Sequence, residues 1–207
     1  MSGLAAQFFA VASQTLARVM ESQAAQIEEA GRLGAEAILR GGLIHVIGTG
    51  HSHMIAEELF GRAGGLVLVN PIFNSTLMLH EGIARSGATE RLPGYAERLL
   101  ALEPLSKGDL LIVVSNSGRN AVPVEAALYG RAKGLKVVAI TSMAHTLSQP
   151  ANHPGGQRLF EVADVVIDNG GIAGDAALEV EGSPVRACAT STLAATFIAQ
   201  AIQAAVV

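Results

Sequence analysis

The chain has 207 residues, enough for one domain with a sizeable core, and half of them are apolar although only 4% are aromatic and Trp is absent. A net charge of −4 with no Lys/Arg cluster argues against a nucleic-acid partner, because affinity for a phosphate backbone needs a basic surface. The single cysteine, Cys188, excludes an intrachain disulfide and suits a reducing, cytoplasmic setting; no apolar run reaches the ~20 residues of a membrane span, and the N-terminus lacks a signal-peptide pattern.

Residues 4–40 are rich in Ala, Glu, Gln and Leu and predict one or two amphipathic helices, with a break near Gly31. They are expected to form a helical arm, residues 1–40, used for packing or dimerisation, ahead of a domain covering 41–207. From there short apolar runs rich in Val and Ile follow one another: Leu43–Ile47, Leu66–Val69, Leu110–Val114, Lys136–Ile140 and Asp164–Ile167. Each is apolar on both faces, the pattern of a strand buried between helical layers. Helical stretches separate most of them, at His53–Gly64, Leu77–Leu102 (interrupted near Pro93) and Val122–Gly134. The alternation predicts a three-layer, doubly wound α/β fold with a five-stranded parallel sheet. A Gly/Ser-rich segment, Asn169–Ser183, precedes a last Ala-rich helix near Thr192–Ala205. The chain then stops abruptly on AIQAAVV, as it would if a further helix followed.

Two predicted strand ends are small and polar. The first runs Gly48-Thr49-Gly50-His51-Ser52-His53, the second Ser115-Asn116-Ser117-Gly118-Arg119-Asn120. In an open parallel sheet ligands bind outside the carboxyl ends of the strands. Glycines let backbone N–H groups approach an anion there, and hydroxyls and helix N-termini add donors and partial positive charge. Together the loops describe a phosphate cradle. Three rival phosphate or nucleophile motifs fail. A dinucleotide fingerprint would need a third glycine where His53 stands and an acidic residue where the second strand ends in Asn70. No G-x-x-x-x-G-K-S/T is present, and Ser52 lacks the second glycine of a nucleophile elbow.

These loops resemble the G-x-G-x-S and S-x-S-G turns of the sugar isomerase (SIS) domain family, whose sheet is flavodoxin-like. Val137–Ser142, Ala163–Asp168 and Thr190-Ser191-Thr192 resemble its following strands and closing element, so the likeness spans about residues 40–205. Gly50–His53 with Ala56–Leu59, Leu79-His80-Glu81-Gly82 and Gly174-Asp175-Ala176 are similar to a bacterial SIS group related to phosphoheptose isomerase. The resemblance implies a phosphosugar ligand, no nucleic-acid or membrane partner, and a homodimer or homotetramer. The phosphosugar-binding residues it implies are Gly48, Thr49, Gly50, His51, Ser52, Ser115, Asn116, Ser117, Gly118, Asn120, Ser191 and Thr192.

Each of these has a plainer role to weigh. Ser52, Ser115 and Ser117 could simply N-cap the helices that begin there, and Asn120 could close its turn. An aldose–ketose isomerase also needs a base to move a proton between adjacent carbons. Glu81 is the expected base and His80 the assisting group or a metal ligand, against the plainer reading of Glu81 as a solvated residue at a helix start. Glu58 and Arg62, spaced i, i+4, predict a surface ion pair, with Glu57 a lesser site candidate. His145 and His153 are expected on a surface loop, and Asp168, Asn169 and Asp175 in turns. Zinc-binding phosphoheptose isomerases carry a histidine late in the final helix; here that helix offers only Gln200, which argues against a metal-dependent mechanism of that type, and no metal or cofactor is assigned, with His51, His53 and His80 left open as ligands. The expected activity is isomerisation of a sugar phosphate or amino-sugar phosphate, with a non-catalytic phosphosugar sensor or a phosphosugar lyase as alternatives.

Overall fold

A computed structural model describes residues 3–207. Its centre is one sheet of five parallel strands: β1 (Ile44–Gly48), β2 (Val69–Ile72), β3 (Leu110–Val114), β4 (Lys136–Thr141) and β5 (Val165–Asp168), in the order β2-β1-β3-β4-β5. The three-layer, flavodoxin-like prediction therefore holds. Every residue of β1 and β3 is buried. Side chains alternate along β3, so Leu110, Ile112 and Val114 enter one hydrophobic layer and Leu111 and Val113 the other.

The first layer holds α1 (Leu4–Leu39), α2 (Met54–Leu59) and α8 (Ser191–Val206), whose Val19, Ala30, Ile55, Ile198 and Ile202 pack on that face. The second layer is built mainly on α4 (Tyr95–Leu100) and α5 (Ala121–Ala132). Short helices α3 (Ile83–Thr89), α6 (Met143–Leu147) and α7 (Leu159–Val162) complete the connections.

Three expectations change. The first helix runs unbroken through Gly31, which is the point where α8 comes closest: a Cβ there would overlap Ala205. The same helix, the expected N-terminal helical element, packs in the common core through Val19, Ile27, Ala30 and Leu33. The second strand lies three residues later than the apolar run suggested. Val67 is 94% exposed, and backbone pairing with β1 begins at Val69 and continues through Pro71, tolerated because β2 is an edge strand. Finally, Leu77–Gly82 is not helical; a turn closes there with Gly82 N–H bonded to the Leu79 carbonyl, and α3 starts only after Gly82 at φ 104°.

Candidate functional site

The sheet order reverses direction between β1 and β3, and the turns leaving those two strands sit side by side, as a doubly wound sheet requires of its binding crevice. After β1 the chain folds into a 3-10 turn, Gly50–His53. Gly48 makes this possible, since a Cβ on it would overlap the Ser52 carbonyl, and Gly50 takes φ 56°. After β3, Ser115 accepts a hydrogen bond from Gly118 N–H at 3.1 Å, and Gly118 turns the chain at φ 56°. The Asn116 carbonyl then accepts from Ser142 N–H after β4 at 3.1 Å, and its side chain accepts from Asn169 after β5 at 3.0 Å. The ends of β3, β4 and β5 are thereby tied together.

Between them lies a cleft of about 210 Å³. Thr49, His51 and Ser52 line it from the first turn and Ser115, Asn116 and Ser117 from the second; Ser191 lines it from the start of α8. A small recess of about 10 Å³, room for about one water, adjoins it through Ser52, Asn116 and Ser191 and adds Thr192. Of the serines expected to cap helices, Ser52, Ser115 and Ser117 cap none. The N-cap positions belong to Thr49, His53 and Asn120, and none of these side chains makes a capping bond.

Three further residues complete the lining: Glu90, His145 and Asp175. Glu90 ends α3 and accepts a 2.6 Å hydrogen bond from the buried Thr49 hydroxyl, while its carbonyl accepts from Val122 N–H at the start of α5. Asp175, at φ 51°, accepts from Thr190 and Ser191 N–H groups and, at 2.5 Å, from the Ser191 hydroxyl. It supplies the anion that α8's N-terminus favours. His145 Nδ1 accepts from Gly174 N–H at 2.9 Å, holding the Asp175 loop against the cleft. Among the described residues no Lys or Arg lines the cleft. An anion bound there would depend on hydroxyls and backbone N–H groups.

Several expected residues stand elsewhere. Asn120 is buried and accepts from Asn152 at 2.9 Å, which fixes the loop after α6. His80 and Glu81 are exposed, on the turn before α3, and neither lines the cleft. The Ser75 hydroxyl and then Arg85, paired one turn on, hold the Glu81 carboxyl below its usual range, the opposite of what a carbon base at neutral pH needs. Asp168 accepts from Met143 and Gly170 N–H groups, a turn role. His153 is half-buried near Glu125, away from the cleft lining. Glu58 pairs with Arg62 as expected, and also accepts from Gln200 at 2.7 Å.

The sequence reading missed Glu90, because nothing in a Thr-Glu dipeptide at a helix end signals a cleft 41 positions from Thr49. It assigned no metal and left His51, His53 and His80 open as ligands. Yet His53, Glu57 and His80 each bring one ligand atom within 4.8 Å of the other two. Two imidazoles and a carboxylate are a donor set that suits a divalent transition metal.

The SIS domain family's model matches residues 7–142, which includes most of α1. A UPF0309 protein of Halalkalibacterium halodurans is 44% identical over 190 residues, covering 92% of this chain and 78% of its own. Among solved structures, a phosphoheptose isomerase from Francisella tularensis superposes with a TM-score of 0.65 at 18% identity, over 100% of this chain and 98% of its own. The Vibrio vulnificus NanR protein complexed with ManNAc-6P gives 0.52 at 17%, over 96% and 61%. At these identities the two structures speak for the fold alone.

Proposed function

Since this chain belongs to the SIS domain family, we propose that its cleft binds a phosphorylated sugar and isomerises it between aldose and ketose forms. The observation that carries the reading is the convergence of three hydroxyl-bearing turns, at Ser52, Ser117 and Ser191, on one cleft at the switch point of the sheet. The phosphate takes the end between Ser52 and Ser117. Thr49, Ser115 and Ser191 have their hydroxyls engaged within the chain and act by holding the turns in place. The sugar extends toward Glu90.

In this proposal Glu90 takes the role of base expected of Glu81. It is the cleft carboxylate not committed to a helix N-terminus, whereas Asp175 serves α8. Isomerisation needs one group to carry a proton from one carbon to its neighbour, and a carboxylate within reach of both does so. His51 and His145, also in the lining, are the imidazoles available to assist ring opening.

The test is a thermal-shift screen of sugar phosphates followed by exchange, in heavy water, of the proton on the carbon beside the carbonyl. A raised melting temperature with exchange supports the proposal. Stabilisation without exchange for any bound sugar would make the protein a phosphosugar sensor, and no response to any sugar phosphate or to inorganic phosphate would remove the ligand itself.

A further inference from the structure

Two acceptors flank His53. Its Nδ1 lies against the Gly50 carbonyl, which can only accept, so Nδ1 carries the proton. Its other ring nitrogen, Nε2, lies 3.2 Å from Glu57 Oε1. That spacing suits two donor atoms sharing one cation as well as a direct bond between them. The His80 ring stands 5.4 Å from that of His53, centroid to centroid.

We propose that His53, Glu57 and His80 form a binding site for a divalent transition metal of the zinc class. Ligand atoms around a tetrahedral zinc, with bonds of about 2.0–2.1 Å, lie roughly 3.3 Å apart. The His53–Glu57 edge, 3.2 Å, already has that spacing, and the atoms of all three residues fall within 4.8 Å of one another. A side-chain rotation of the exposed His80 closes the set and leaves a fourth position open to water or a ligand oxygen.

The backbone prepares this arrangement. His53 is buried, and its bond to the Gly50 carbonyl is the kind of outer contact that fixes the tautomer of a metal-ligating histidine. Glu57 follows at i+4 across the 3-10 turn into α2, on the same face. The turn carrying His80 is pinned through Leu77, whose carbonyl accepts from Gly50 N–H at 2.9 Å and from the Ser86 hydroxyl at 2.8 Å. Gly50 thus orients the first ligand with its carbonyl and anchors the third ligand's turn with its N–H. The last helix contributes nothing, since Gln200 is bonded to Glu58.

The experiment uses the untagged full chain, stripped with a chelator and titrated with Zn²⁺ by calorimetry and with Co²⁺ by visible absorption. The expected result is one metal per chain with a tetrahedral Co²⁺ spectrum. His80→Ala, at an exposed position, should melt like the wild type without metal yet bind Zn²⁺ about tenfold or more weakly. Glu57→Gln should weaken binding similarly, and His153→Ala should leave it unchanged. Absence of stoichiometric uptake of either ion would overturn the proposal. So would wild-type affinity in His80→Ala, which would leave His53 and Glu57 as a plain ion pair. These readouts report metal binding whatever sugar the cleft accepts.

Discussion

Ser117 lines the cleft on the loop after β3 and caps no helix, so its hydroxyl is available to a ligand. A hydrogen bond to a charged partner contributes about 1.5–3 kcal/mol. Ser117→Ala should therefore weaken sugar-phosphate affinity by about 10- to 100-fold and shrink the thermal shift, without changing the melting temperature of the free protein. Glu90→Gln keeps an oxygen for the Thr49 hydroxyl but removes the base. It should retain binding and lower carbon-bound proton exchange by roughly 100-fold or more, while Glu81→Gln leaves exchange intact; the reverse pattern would return the role to Glu81, donated from a neighbouring subunit. Away from the site, Asp109 is buried beside His45 at 3.0 Å and accepts Ser106 and Leu43 N–H groups. Burial alone would raise its pKa, but His45 and the two amides outweigh burial and the net direction is down. A carboxyl whose folded pKa lies below its unfolded one stabilises the fold above the unfolded value, near 3.8, and loses that contribution as pH falls through the folded value. Asp109→Ala should cost on the order of 3 kcal/mol at pH 7 by stranding buried partners, and a urea titration of the variant should lose the wild type's acid-limb dependence below pH 4.

At the level of elements, the close packing of α1 on α8 depends on Gly31. Gly31 lets the two helix backbones approach, because any Cβ there meets Ala205 side chain and backbone together. Its place in the sequence suggested a helix break, since glycine costs a helix about 1 kcal/mol against alanine. In the structure close packing outweighs that cost. Gly31→Ala, a gain on propensity alone, should instead destabilise the protein by about 1–3 kcal/mol through overpacking, and a rise in melting temperature would show that the helices can part without loss. The strands were legible to within a residue in β1, β3, β4 and β5. The exception, β2, is one of the two edge strands; there the apolar run Leu66-Val67-Leu68 lies outside the ladder and hydrogen-bond register, not hydropathy, selects Val69–Ile72.

For the whole molecule, the layer made by α1 and α8 leaves apolar side chains uncovered. Met20 is 58% exposed and Phe197 37%, and both line a groove of about 570 Å³ between the two helices with Ala24, Ala201 and Ala204. We propose that this apolar face associates with a second copy of the chain, presenting the same face about a two-fold axis. Light scattering is expected to give a dimer or tetramer at micromolar concentration, and Met20→Glu with Phe197→Glu to shift the mass toward the monomer. A monomeric wild type would count against this assembly.

Local chemistry and periodicity settled much in advance. Short runs apolar on both faces specify a parallel sheet, because only a sheet covered by helices on both sides buries such strands. Gly-Thr-Gly and Ser-x-Ser-Gly turns specify where backbone and hydroxyls can meet an anion, and seven of the residues named for it line the cleft. Tertiary structure alone decided what lies beyond those turns. Glu90, His145 and Asp175 reach the cleft from positions far along the chain, and His80 approaches His53 across a turn that the sequence presented as helix. Such partners carry no local signal, because their proximity comes from the order of strands and the packing of the connections between them.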